Sequence, residues 1–198
     1  MTSTMQEALA SIHASLQNLH RVSLLRLLAP GVPETVTRDK LVSFGLQSNA
    51  EIETLYRWHN GTGYDPQLTL ADYWMFPFFY FLSLDDAIQE YEALRVIDRW
   101  HTGWLPIFAD GGGDYLVINA AMGESDRGVY HFRNDYTEYP LEYASLTDCC
   151  LTVAAAFQRG VFYVNAEHPE IQIDFPRFYE LGATMNPSVS WWSDPDMD

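Results

Sequence analysis

The residues of this chain whose types suit catalysis or ligation are few: a triple glycine at Gly111-Gly112-Gly113, a glycine-flanked serine at Ser125, adjacent Cys149-Cys150, and six histidines. Each has a pattern to satisfy. A dinucleotide-binding loop needs a third glycine three residues after its second, where this chain has Leu116; a P-loop needs Gly-Lys-Ser/Thr, and the single lysine, Lys40, is followed by Leu41. The triple glycine therefore reads as a flexible turn. In Gly123-Glu124-Ser125-Asp126-Arg127-Gly128 the second glycine falls one place too late for a nucleophile elbow. His13 and His20 share a face of one segment but stand two turns apart, about twice the separation at which paired histidines ligate zinc. Cys149 and Cys150 are adjacent, which is poor geometry for a disulfide, and the local sequence offers no basic residue to activate a thiol until Arg159. Asp110, Asp114, Glu124 and Asp126 lack the spaced acidic run of a dedicated calcium loop. A hydrolytic pairing of His131 with a carboxylate is the weakest of the functional readings. No catalytic residue, metal or cofactor is expected.

The elements that would carry these residues can be read from period and punctuation. Met5, Leu9, Ile12, Leu16 and Leu19 recur at helical steps, so residues 5–28 predict one amphipathic helix, closed by Ala29-Pro30-Gly31. Its stripe allows packing on the domain or a homodimer. Ser48 with Glu51 forms a capping-box pattern for a second helix ending at Asn60-Gly61, and Ser83 with Asp86 opens a third that should run to about Trp100. Trp104–Ala109, Tyr115–Ala120 and Gly128–Arg133 are short strand-like runs, with Glu142-Tyr143-Ala144 a fourth, and the first two bracket a hairpin turn. Ser145 with Asp148 caps a helix through Phe157 to Gly160, and a short helical piece lies near Phe178–Leu181. Helices before and after an antiparallel meander make an α+β domain: an antiparallel or mixed sheet of about four to six strands flanked by helices, plus an extra N-terminal amphipathic helix.

Charge narrows the function further. The chain of 198 residues carries 27 acids against 11 bases, a net charge of −16, which argues against a nucleic-acid backbone or an anionic membrane surface as partner. Residues 1–60 hold five acids and five bases, so the whole excess lies beyond residue 60. Such a field speeds encounter with a basic partner, although it also serves solubility. Aromatic residues make up 15%, and rings of that number must fill a core or anchor a partner. Met1–Ala10 has no basic residue and no long apolar run, and Tyr73–Leu84 is too short to span a bilayer, so a reduced, cytoplasmic setting is expected.

The central block Trp104-Leu105-Pro106-Ile107-Phe108-Ala109-Asp110-Gly111-Gly112-Gly113-Asp114-Tyr115-Leu116 resembles the hallmark hairpin of the SUKH superfamily. That superfamily includes the fungal cell-wall-assembly regulator domain and many bacterial toxin-immunity proteins. Tyr56-Arg57-Trp58-His59-Asn60-Gly61, Gly128-Val129-Tyr130-His131-Phe132, Tyr143-Ala144-Ser145-Leu146 and Asn186-Pro187 followed by Trp191 are similar to further family segments in the expected order. Gln47 departs from the proline often found before the second helix, and the aromatic stretch Tyr73–Phe81 has no counterpart. The resemblance implies an N-terminal helical extension (residues 1–34) on a SUKH-like domain (residues 35–198). It also implies a non-enzymatic bacterial immunity protein that binds and neutralises a cognate, basic, polymorphic toxin domain. The alternative is a regulatory scaffold of the same fold. Partner contacts are expected from Asp110, Asp114, Glu124 and Asp126, with exposed rings from Tyr73, Trp74, Trp191 and Trp192.

Overall fold

The computed structural model of the chain describes residues 4–123, 125–167 and 169–193. Thr4 opens the first helix by a reciprocal cap: its hydroxyl accepts from the Glu7 amide at 3.3 Å, and the Glu7 carboxylate accepts from the Thr4 amide at 2.8 Å. Helix α1 (Met5–Asn18) buries Met5, Ala8, Leu9, Ile12 and Leu16. Burial of each of the larger ones is worth about 1.5–3 kcal/mol. That consumes the stripe which sequence left open for a second copy.

The single helix expected over residues 5–28 is broken. His20 takes a φ of 54°, α2 (Val22–Leu27) sets off in a new direction, and strand β1 (Leu28–Pro30) follows. The cause is Arg21, only 8% exposed, whose guanidinium donates to the Ala71 carbonyl at 2.6 Å and the Pro169 carbonyl at 2.9 Å. Leu24 and Leu28 remain buried beyond the break, so the apolar steps continue through it and hide it from a periodicity reading.

Helix α3 (Glu34–Ser43) was not expected, because it buries only Thr37 and Leu41 and has no side-chain cap. Helix α4 (Ala50–Trp58) starts one residue later than the Ser48 pattern suggests. Asn49 is the N-cap, its side chain accepting from the Glu51 and Ile52 amides at 2.9 Å each. Strand β2 (His59–Thr62) then pairs antiparallel with β1. The aromatic stretch contributes a 3-10 turn, Leu70–Tyr73, and a two-residue strand β3 (Tyr80–Phe81).

Ser83 caps helix α5 (Leu84–Leu94) as expected, but the helix stops short of Trp100. The intervening residues turn back so that Trp100 packs on Phe132, ring centroids 4.8 Å apart, and on Trp104 at 6.0 Å. Strands β4 (Trp104–Ala109), β5 (Tyr115–Asn119), β6 (Val129–Phe132) and β7 (Leu141–Tyr143) follow. With β3 they form one antiparallel sheet in the order β3-β4-β5-β6-β7. Helix α6 (Leu146–Gln158) starts at the Ser145 cap. A small ribbon of β8 (Phe162–Tyr163) and β9 (Gln172–Ile173), helix α7 (Phe175–Met185) and a 3-10 turn at Ser190–Ser193 complete the described chain. Helix α7 is longer than the piece expected, because Asp174 caps it and Pro176 is tolerated in its first turn.

Alternation along the strands sorts the two faces of the sheet. Leu105, Ile107, Leu116, Ile118 and Val129 join the helices in one core that runs from Met5 to Trp192. Trp104, Val117 and Phe132 point the other way, into a smaller cluster closed by Trp100. The class is α+β, with a five-stranded antiparallel sheet, flanking helices and an N-terminal helix.

Candidate functional site

The β4–β5 turn is built by an aspartate. Asp110 Oδ1 accepts from the amides of Gly112 at 2.7 Å, Gly113 at 3.0 Å and Asp114 at 2.8 Å. Gly111 and Gly113 supply the positive φ values, 82° and 107°, that the turn requires. Asp114 Oδ1 accepts from the Asn134 amide at 2.8 Å and ties the turn to the β6–β7 loop. Asp126 accepts from the Gly128 amide and the Tyr130 phenol, both at 2.8 Å. Each of these carboxylates is half-buried and holds local structure. Nor do they form one surface. In a meander successive loops leave opposite ends of the sheet, so Asp110 and Asp114 are separated from Asp126 by the length of β5, about 17 Å. Glu124 lies outside the described residues.

Beside the Asp110 end is a groove of about 420 Å³ lined by Tyr64, Leu70, Tyr73, Tyr80, Asp86 and Glu90. Asp86 and Glu90 stand four residues apart and so share a face of α5. Glu90 accepts from the Tyr115 phenol at 3.0 Å. The Tyr80 phenol is pushed above its ordinary value by burial, and then by the carboxylates of Glu90, Asp110 and Asp86, so charge from α5 and from the hairpin converges on one spot. Tyr64 is 82% exposed and stacks on Tyr73 with centroids 6.3 Å apart and planes 5° apart. An exposed aromatic ring and two carboxylates thus line the same groove.

The four expected ring anchors divide. Tyr73 is buried, its hydroxyl donating to the Asp65 carbonyl at 2.5 Å, and it forms the wall behind Tyr64 rather than an exposed anchor. Trp192 is 5% exposed, with its indole N–H donating to the Glu142 carbonyl, and it too is core. Trp74 and Trp191 are half-buried; Trp74 packs edge-on to Phe78 at 5.2 Å, and Trp191 edge-on to Trp192 at 4.4 Å. The sequence reading missed Tyr64, Tyr80, Asp86 and Glu90. The i,i+4 acids beside an aromatic run were the available signal.

The model of the SMI1/KNR4 family (SUKH-1) matches residues 44–150, just over half of the chain. The chain belongs to that family. SUKH-1 proteins serve immunity and regulatory roles, and the family is not a known enzyme family. No curated protein matches the chain. The SUKH-1 segment covers α4, α5, strands β2 to β7, the start of α6 and the acidic groove; α1 to α3 precede it, and the rest of α6 to the last 3-10 turn follows it.

Inside the SUKH-1 segment, His131 Nδ1 lies 2.8 Å from Glu142 Oε1. The sequence pairs His131 with an unspecified carboxylate as a hydrolytic reading; Glu142 is the one beside it, and among the described residues no serine, threonine or cysteine lines the groove that holds the pair. Cys149 and Cys150 are buried, which drives both thiols up, Cys150 to about 12, so neither is a nucleophile in the folded state. Among the described residues no cluster of three or more His, Cys, Asp or Glu side chains could hold a metal ion, and no helix is long and apolar enough to cross a membrane.

Proposed function

We propose that this SUKH-1 chain is an immunity protein that binds a cognate basic toxin domain stoichiometrically and neutralises it by covering its working surface. The observation that carries this reading is the groove of Tyr64, Tyr80, Asp86 and Glu90, on a chain whose entire net charge of −16 lies beyond residue 60. A lysine or arginine of the toxin enters it, its charged head over the exposed face of Tyr64 and towards Glu90. Such a cation–π contact is worth about 0.5–1 kcal/mol at an exposed site and about 2 or more once desolvated. Asp110 and Asp114, at the same end of the sheet, add to the field that speeds encounter. Asp126, at the other end, is outside this contact.

The test is co-expression with the toxin encoded by a neighbouring gene. Growth should be rescued by the wild type, and association of the purified pair should slow steeply with added salt. Tyr64→Ala should weaken binding at least tenfold while leaving the melting temperature unchanged, because the ring is exposed. Equal killing with and without the protein sinks the immunity reading. Rescue that survives Tyr64→Ala together with Glu90→Gln moves the contact elsewhere.

A further inference from the structure

Phe78 takes a φ of 73°, a conformation that bulky side chains rarely adopt and that clusters at functional sites. It is 43% exposed and stacks on Phe175, centroids 6.2 Å apart and planes 15° apart, at the rim of a second groove. The walls of that groove include Phe76, Phe79, Phe162, Phe178 and Trp191, and its volume is about 220 Å³. Clefts for drug-sized ligands run to about 300–1,000 Å³, so this one takes a single ring or a short chain. It shares no lining residue with the acidic groove.

Among these rings stand the phenols of Tyr143 and Tyr179 and three further polar side chains, His131, Glu142 and Arg133. Glu142 is engaged by His131 Nδ1. Two nitrogens at the groove stand without partners. His131 Nε2 and Arg133 Nε are both buried, and neither has a hydrogen-bond partner among the described residues. The Arg133 guanidinium lies over the Tyr136 ring, 4.2 Å from its centroid, with no ion pair among the described residues. Buried polar groups are nearly always paired, and an arginine N–H can only donate, so an acceptor is missing here.

We propose that this groove binds a small apolar monocarboxylate, its ring or chain held between Phe78, Phe79 and Phe175 and its carboxylate accepting from Arg133. Planar pairing with a carboxylate is what a guanidinium does best. The net negative charge of the chain opposes an anion at long range, but at 0.15 M salt screening acts over about 8 Å and leaves the local donors in control. The site is independent of toxin binding.

The test is a titration of the full chain at physiological salt with three probes of one skeleton, phenylbutyrate, phenylbutanol and phenylbutylamine, followed by amide NMR shifts. Phenylbutyrate should bind at least tenfold more tightly than phenylbutylamine, with the alcohol between them and the shifts centred on β6 and β7. Arg133→Gln should bring the acid down to the affinity of the alcohol, and Phe78→Ala should weaken all three together. The proposal is overturned if the amine binds as tightly as the acid, if millimolar phenylbutyrate produces no saturable shift, or if Arg133→Gln keeps the preference for the acid. Should a variant not fold, the three probes on the wild type decide the matter alone.

Discussion

Gly182 lies directly against the Trp192 indole: a Cβ at Gly182 would stand 2.0 Å from Cε3 of that ring and 2.2 Å from Cζ3. Helix α7 can approach the final 3-10 turn this closely only because position 182 has no side chain. The same indole donates to the Glu142 carbonyl, so one close approach ties the tail to strand β7 and to the floor of the apolar groove.

Gly182→Ala sets two effects against each other. Alanine favours the helix by about 0.8–1 kcal/mol. Displacing a buried indole costs about 1–3 kcal/mol in overpacking, and losing its hydrogen bond roughly 1–3 more. The clash wins, and urea denaturation should show a net loss of about 2 kcal/mol, with tryptophan emission shifted to the red. A variant as stable as the wild type would contradict the close approach.

Asp110 separates a structural role from an electrostatic one. Alanine there leaves the three turn amides without their acceptor and should cost about 1–3 kcal/mol. Asparagine keeps an acceptor oxygen and should cost about half as much or less. Both remove one negative charge, so a slowing of toxin association shared by the two reports the field, while the stability difference between them reports the turn. Equal stability of the two variants would show that the carboxylate does not hold the hairpin.

Acid should weaken the docking of α1. His59 stacks on His13 with centroids 5.8 Å apart and planes 10° apart, and its Nδ1 lies 3.0 Å from the Ala29 carbonyl oxygen. Burial lowers its titration below the ordinary 6.5; the hydrogen bond to Ala29 opposes this, and His13 lowers it further. A group depressed in the folded state contributes stability that is present above its unfolded value and lost as pH falls through the folded one. Melting temperature should therefore drop as pH falls below 6.5. His59→Phe, which keeps a ring in the stack without a titrating group, should flatten that slope; an unchanged slope would exclude His59 as its cause.

What could be read along the chain was local. The caps at Ser83 and Ser145 and the hairpin from Trp104 to Asn119 appear as expected, because a cap or a tight turn is specified within a few residues. Where a distant group decides the backbone, the reading failed. Arg21 breaks the first helix by reaching carbonyls at Ala71 and Pro169, and β3 exists because Tyr80 and Phe81 pair with Ala109 and Phe108. Of the residues lining the acidic groove, Tyr73 is singled out by the sequence, and Asp110 stands beside them; Tyr64, Tyr80 and Glu90 carry no spacing that joins them to the hairpin.

The sequence by itself determined the sign of the surface charge, the α+β class and the family signature, since composition, period and short motifs are carried by neighbouring residues. Only the tertiary structure decided that Trp192 is core while Tyr64 is free, and that Asp110 and Asp126 stand at opposite ends of the sheet. Exposure and juxtaposition are set by contacts between residues far apart in the chain, and a meander that reverses at every strand sends acids that are near in sequence to ends that are far apart in space.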